Sequence, residues 1–364
     1  MGLATGFYEA AIGSGLLGPA GLQTRRWLGN TARRAAIISD SNVLPLYGEA
    51  IRESFRDARF ETSVGAVSAG ERYKSLKSLE QTLSFLSQSR LSRTDVIIAL
   101  GGGVVGDLAG LAAAVYLRGM PFIQIPTTLL AMVDSSVGGK TGVNTKFGKN
   151  LVGAFHSPAG VVIDTDVLTT LPRREMTAGL CEMIKHAALS GKPLFRQTSA
   201  YLDRRDELGS LIAENVQFKA SIVAGDERES TARRDARSRK ILNLGHTFAH
   251  AIEKVTSFRR FRHGEAVGHG LLFAAELSKS LAMLDETSVN LLYDVVHRAG
   301  KLPPLDGINS QEVFDAFAAD KKNIGGSLQW VLLKGIGKPV IVGQNEIPTT
   351  KIKSVLKAFL KQRA

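Results

Sequence analysis

Apolar and polar residues follow two different rhythms along this chain. In the first half, short apolar runs of strand length alternate with stretches whose apolar positions recur every three to four residues. Residues 35–39 (AAIIS) predict a strand ending in a polar turn at 40–42, VLPLYGEAIRESF a helix, RFETSVGAV a strand and residues 71–89 a helix. DVIIAL is an apolar run stopped by three glycines; the small-residue helix DLAGLAAAVYLRG and the strand PFIQIP follow. Such a β-α-β rhythm predicts a parallel sheet with helices on both faces. Beyond about residue 170 helical periodicity dominates, over 173–190, 206–224, 242–255, 263–283, 288–299, 311–319 and 351–361. Only SLQWVLL and PVIVG read as strands there, joined by the turn KGIGK. The expectation is an α/β domain over 1–170 and an all-α domain over 171–364. The arginine-dense stretch RESTARRDARSRK reads as an exposed loop.

Composition narrows the class. Hydrophobic residues at 44% and charged residues at 22% suit a globular chain with a sizeable core. No apolar run reaches the length of a spanning helix, so no membrane association is expected. The first residues lack the basic start of a signal peptide, and the lone Cys181 makes no internal disulfide, which points to a reducing cytoplasm. Forty-six basic against thirty-four acidic residues give a net charge of +12. The basic residues cluster without interleaved aromatics, unlike a nucleic-acid platform. A small anionic ligand suits them better than nucleic acid.

Three motifs carry chemistry. Gly101, Gly103 and Gly106 form G-x-G-x-x-G between a strand and a helix, the context in which backbone N–H groups cradle a pyrophosphate. The acidic residue usual at the next strand's end is replaced by Pro126, Thr127 and Thr128. A purely structural glycine turn is the competing reading. Asp40, at an earlier strand tip, is either a ribose contact or an ordinary turn residue. A second glycine-rich segment, read as a loop, carries Lys140 and Lys149 with Ser135, Ser136 and Thr141, which suit an oxyanion. Finally, Glu182, His246, His250, His263 and His269 gather in the helical half. A glutamate with two histidines and an open position is a catalytic zinc set; spacing alone does not choose among the histidines.

In order along the chain, DVIIALGGGVVGD, IPTTLLAMVDSSVGGKTGVN, GKNLVGAF, GLCEMIKHA, LNLGHTFAHAIE, HGEAVGHG and DKKNIGG resemble the 3-dehydroquinate synthases of the sugar-phosphate cyclase family, over about residues 35–337. The resemblance implies a Rossmann-like NAD-binding domain followed by a helical metal domain, a homodimer, and an active site between the domains. It implies Zn2+ or Co2+ on Glu182, His246 and His263, with His250 and His269 not ligating. Implied NAD contacts are Asp40, Asn42, Glu71, Lys74, Gly103, Asp107, Thr127 and Thr128, with Lys140 and Lys149 near both cofactor and substrate. Implied substrate contacts are Asp134, Lys140, Lys149, Asn150, Lys185, Lys219, Arg239, Asn243 and His250, together with Lys321 or Lys322; Arg118 would reach the partner's site. The family's turn before the arginine of RxxLN is lengthened here by residues 228–238. Arg239 aligns as the family arginine, with Arg237 the alternative.

The implied substrate, 3-deoxy-D-arabino-heptulosonate 7-phosphate, carries a phosphate and a carboxylate, which accounts for so many cations. The implied reaction oxidises a ring alcohol with NAD+, eliminates phosphate next to the new ketone, reduces the ketone again and closes the carbocycle by an aldol step. Polyol and iron-type alcohol dehydrogenases would share the glycine loop and the metal. They would have no use for Lys140, Lys149, Asn150, Lys185 and Arg239 together. Sister cyclases acting on sedoheptulose 7-phosphate or aminated substrates are nearer alternatives, against which Asn243 and His250 weigh. A non-catalytic NAD- or metal-sensing protein would have no reason to keep the set.

Overall fold

The computed structural model describes residues 2–3, 6–230, 232–321 and 328–362. The chain forms two compact units, Met1–Leu171 and Pro172–Ala364.

In the first unit, the short strands β1 (Gly2–Leu3) and β2 (Gly6–Phe7) pair antiparallel. A six-stranded sheet holds β3 (Glu9–Gly13), β4 (Arg34–Asp40), β5 (Glu61–Val67), β6 (Val96–Gly101), β7 (Phe122–Pro126) and β10 (Gly160–Asp164). Their order is β3-β10-β7-β6-β4-β5, every pairing parallel. β6, β7 and β10 are buried along their whole length, as strands covered on both faces must be. Alternate side chains feed two cores. Ile97, Ala99 and Phe122 pack with Leu108 and Ala112 of α4 (Gly103–Val115) and Leu86 of α3 (Leu76–Gln88). Ile98, Leu100 and Ile123 pack with Ala20 of α1 (Ala20–Leu28) and with Ile51 and Phe55 of α2 (Leu44–Asp57).

The order of strands turns around between β4 and β6. From β4 the chain runs outward to β5, then returns to β6 on the other side and continues to β7. Such a switch point opens a crevice at the carboxyl ends of the strands. Ser39 pairs with Leu100, so Asp40 and Gly101 end side by side there. At the opposite edge, Asp95 ties the strand starts together. Its carboxylate accepts from the backbone N of Arg33 (2.9 Å), Arg34 (2.8 Å) and Ser92 (2.7 Å) and from the Ser92 hydroxyl (2.8 Å). Burial opposes ionisation of Asp95, yet these donors outweigh it and hold the carboxyl below its usual value.

Two expectations for this unit change. Residues 71–89 are not one helix, because the Ser75 side chain caps α3 by accepting from Ser78 N (3.2 Å), leaving residues 71–73 as a 3-10 turn. The glycine-rich segment read as a loop is an antiparallel hairpin of β8 (Lys140–Thr145) and β9 (Gly148–Phe155). Its glycines pass the backbones close together instead of loosening them.

The second unit contains α5 (Arg173–Ser190), α6 (Lys192–Arg204), α7 (Leu208–Gly225), α8 (His246–Val255), α9 (His263–Ser280), α10 (Glu286–Ala299), α11 (Ser310–Lys321) and α12 (Thr349–Gln362). A hairpin of β11 (Gln329–Leu333) and β12 (Pro339–Gly343) interrupts the helices. α9 runs through the middle and touches α5 and α8 at glycines. A Cβ on Gly264 would lie 2.0 Å from the Ala178 carbonyl oxygen, and one on Gly270 would lie 2.0 Å from that of Gly245. Only glycine permits these approaches. The periodicity over 242–255 breaks at Gly245, whose φ of 79° ends a 3-10 turn at Arg239–Asn243 before α8 begins.

The segment read as an exposed loop is pinned. Asp226 accepts from Ser230 N (2.8 Å), the Ser238 hydroxyl (3.2 Å) and Arg239 N (2.9 Å), which closes the insertion at its base and buries Arg239 and Lys240. Among the described residues, no helix is long and apolar enough to cross a membrane.

Candidate active site

Each unit gathers its own set of functional side chains. In the first, α4 starts at Gly103 with Gly102 as its cap, and the first turn has neither a side-chain cap nor an acidic residue. Its N–H groups are therefore open to an anion, with the helix dipole in support. Beside it, the Ser135 hydroxyl lies 3.0 Å from where a Gly103 Cβ would stand. That hydroxyl and Thr127 Oγ1 are buried with no hydrogen-bond partner among the described residues. Buried orphan hydroxyls next to an uncapped helix start fit a dinucleotide phosphate. Thr127 N donates to the Gly101 carbonyl (3.0 Å), and Thr128 Oγ1 accepts from Ala131 N (3.2 Å). Asp40 spends one oxygen on its own turn, accepting from Asn42 N (2.8 Å) and Val43 N (3.1 Å), and Asn42 is exposed on that turn.

A second cluster links the 3-10 turn, α4 and the hairpin. Lys74, almost fully buried, pairs with Asp107 Oδ2 and donates to Asn150 Oδ1 (2.6 Å). Glu71 Oε1 accepts from Asn144 Nδ2 (2.8 Å), and Asn144 Oδ1 accepts from Asn150 N (3.0 Å). Lys140 opens β8 opposite Phe155, whereas Lys149 and Asn150 lie near the turn. The expected pair of lysines on one loop is thus spread along a ladder, over about 14 Å at 3.4 Å per residue. Asp134 sits in a π-helical turn, Ala131–Ser135. Arg118 ends a 3-10 turn, exposed and with a φ of 65°.

In the second unit, α5, α8 and α9 bring Glu182, His246 and His263 together, with one ligand atom from each inside a 4.8 Å sphere of separations. Glu182 is fully buried, and its Oε1 lies 3.7 Å from His263 Nε2 and 4.0 Å from His246 Nε2. That oxygen accepts no hydrogen bond among the described residues. Both imidazoles are oriented from behind. His246 Nδ1 faces the Leu244 carbonyl (3.2 Å), and His263 Nδ1 faces Glu253 Oε2 (3.2 Å). Each Nδ1 thereby carries the proton, and each Nε2 turns toward Glu182. Burial, followed by the nearby Lys185, His263 and His250, holds the His246 imidazole well below its ordinary pKa, so it is neutral and able to ligate. One orphaned carboxylate oxygen and two Nε2 atoms turned toward it fit a first-row divalent ion with open positions.

Around this centre, Lys185 Nζ stands 2.5 Å from Glu182 Oε2. His250 is exposed on α8, with its ring 6.0 Å from that of His263. It also forms a second close group with Glu253 and His263. His269 faces away, its Nε2 at 2.8 Å from the Pro303 carbonyl. Lys219 is buried on α7. Arg239 is buried and donates to the Glu227 carbonyl (2.6 Å), while Arg237 is exposed. Asn243 Nδ2 donates to Glu229 Oε1 (3.1 Å). Nothing is described of the Lys321 side chain, and Lys322 lies outside the described residues.

Sequence reasoning missed Asn144, Glu229 and Glu253. Asn144 ends the segment IPTTLLAMVDSSVGGKTGVN, and Glu253 follows His250 by three residues, about one helical turn. That spacing was the available signal.

Comparison with known proteins agrees with this geometry. The family described as 3-dehydroquinate synthase N-terminal matches residues 64–178, and 3-dehydroquinate synthase C-terminal matches residues 179–323. The 3-dehydroquinate synthase of Thermoanaerobacter pseudethanolicus is 42% identical over 328 residues, 89% of each chain. Among solved structures, a 2-epi-5-epi-valiolone synthase from Streptomyces hygroscopicus subsp. jinggangensis with NAD+ and Zn2+ bound superposes with a TM-score of 0.86 at 26% identity, covering 98% of this chain and 97% of that one. A 2-deoxy-scyllo-inosose synthase complexed with carbaglucose-6-phosphate, NAD+ and Co2+ gives 0.83 at 26% identity, covering 96% of each. An uncapped helix start at the sheet's switch point, a buried carboxylate facing two imidazoles, and two family matches that together run from residue 64 to 323 lead to one conclusion: this chain belongs to the 3-dehydroquinate synthase family.

Proposed function

We propose that this chain converts 3-deoxy-D-arabino-heptulosonate 7-phosphate into 3-dehydroquinate and phosphate, a step toward aromatic amino acids, with NAD and one divalent metal, Zn2+ or Co2+. The observation that carries the reading is the convergence of Glu182 Oε1 with the Nε2 atoms of His246 and His263, in a chain 42% identical to a 3-dehydroquinate synthase. When bound, NAD supplies a reversible two-electron oxidant for a ring alcohol and the metal a Lewis acid for its oxygen.

The chain's own residues do the rest. Glu182, His246 and His263 hold the ion, and Glu253 and the Leu244 carbonyl keep the two rings in the ligating tautomer. The start of α4, with Thr127, Thr128 and Asp40, receives the dinucleotide. Glu71, Lys74 and Asp107 complete that face. Lys140, Lys149, Asn150, Lys185, Lys219, Arg239, Asn243 and His250 bind and orient a substrate that is anionic at both ends, with Asp134 and the partner's copy of the Arg118 turn completing the set. A homodimer in the cytoplasm is part of this proposal. Exposed Val115 and Leu117 beside Arg118 support the dimer.

Incubation with the heptulosonate phosphate and a trace of NAD+ tests the reading. Phosphate release far in excess of the NAD+ supplied is expected, and a chelator should abolish it. Accumulation of NADH in step with product would assign the chain to the dehydrogenases instead.

A further inference from the structure

We infer that Asn144 is a positioning residue that joins the cofactor side of the first unit to its substrate side. The inference rests on the proposed reading that Glu71, Lys74 and Asp107 face NAD while Lys149 and Asn150 face the substrate. Asn144 uses its backbone N and both ends of its side-chain amide on this junction. Its backbone N donates to the Lys74 carbonyl (2.8 Å) and its Nδ2 donates to Glu71 Oε1 (2.8 Å). Its Oδ1 accepts from Asn150 N (3.0 Å).

Asn150 needs that hold. It stands at a φ of 55°, a left-handed conformation that asparagine tolerates better than most residues, and the bond from its N to Asn144 Oδ1 holds it there. From there its Oδ1 reaches Lys74 Nζ (2.6 Å), which also pairs with Asp107. Lys74 N donates to the Glu71 carbonyl (3.1 Å), so a closed ring of hydrogen bonds runs Glu71–Asn144–Asn150–Lys74. The bulge between Val143 and Thr145 places Asn144 outside the regular ladder, free to make these bonds. Anything that fixes Glu71 and Lys74 also fixes the end of the hairpin that carries Lys149 and Asn150. NAD binding thus prepares the substrate contacts through Asn144.

The asymmetry of the Asn144 amide provides the test. Asn144→Asp keeps the acceptor for Asn150 N but sets a carboxylate against that of Glu71. Glu71→Gln in the same chain restores a donor–acceptor pair with its direction reversed. For the unaltered chain, Asn144→Ala, Asn144→Asp, Glu71→Gln and the double variant, calorimetry gives NAD affinity and steady-state assays give kcat and KM. Thermal melting and metal content report on the fold.

Loss of both side-chain bonds in Asn144→Ala, and of one bond with carboxylate repulsion added in Asn144→Asp, should lower kcat/KM for the heptulosonate phosphate about 10- to 100-fold. Metal content should stay unchanged. The double variant should recover part of the lost kcat/KM over Asn144→Asp while melting temperature stays the same in all variants, a pattern that a merely structural role would not produce. Single variants within about twofold of the unaltered chain in kcat, KM and NAD affinity would overturn the inference, as would a double variant no better than Asn144→Asp. Failure of the unaltered chain to bind NAD would overturn the underlying reading as well.

Discussion

Replacing Glu253 by alanine should weaken metal binding about 10- to 100-fold without unfolding the chain. Glu253 is 3% exposed at its side chain, and its Oε2 lies 3.2 Å from His263 Nδ1. It fixes the tautomer and the orientation of one ligand and raises that ligand's basicity. Carboxylates behind ligating histidines contribute about 10- to 100-fold in metal affinity, equal to about 1.4–2.8 kcal/mol. A hydrogen bond to a charged partner, at about 1.5–3 kcal/mol, covers the same range. Glu253→Gln keeps an oxygen that can accept from Nδ1, so it should lose less than Glu253→Ala. Chelator competition with Zn2+ and the visible absorption of the Co2+ form should rank the unaltered chain above Glu253→Gln, and Glu253→Gln above Glu253→Ala. If Glu253→Ala bound zinc as tightly as the unaltered chain, the positioning role would be refuted. If Glu253→Gln lost the metal as completely as His263→Ala while His246→Ala kept it, the ion would sit instead among His250, Glu253 and His263.

His263→Ala should lose the metal by elemental analysis, whereas His269→Ala should keep it and lose the Pro303 and Phe261 contacts, about 1–3 kcal/mol of stability in denaturant unfolding. Arg239→Ala and Lys140→Ala should each lower kcat/KM by about 10- to 200-fold, with NAD affinity unchanged in Arg239→Ala; Arg239→Lys should recover part of the loss, and exposed Arg237→Ala should be silent. Asp95 is held below the unfolded carboxyl value of about 3.9, so its stabilisation is complete above that pH and drains away as pH falls toward the folded value. Asp95→Asn should therefore cost about 1–3 kcal/mol at neutral pH and flatten the acid limb of a stability–pH curve. Gly264→Ala forces α5 and α9 apart, and should cost about 1–3 kcal/mol of stability, read as a lower melting temperature, and weaken metal binding.

Much of this protein is written in local pattern. The apolar runs of β4, β6 and β7 declare buried parallel strands because covered sheets need both faces apolar. The helical period shows α5, α9, α10 and α12 because a helix repeats its buried face whatever its neighbours are. The glycine motif between β6 and α4 and the histidines of α8 and α9 are likewise visible, since each needs only a residue type at a spacing. Tertiary structure decided what depends on partners distant in sequence. Ser75 cuts a helix short through one hydroxyl, and the glycines of 138–153 build a hairpin, because strand pairing is settled by the opposing strand. Asp226 closes at its base an insertion that composition reads as an exposed loop, because its carboxylate accepts from donors on both arms. His263 lies ten residues beyond Glu253, and Asn144 lies 73 residues beyond Glu71. No periodicity encodes such pairs, because hydrogen bonds between elements are chosen by the packing that brings the elements together.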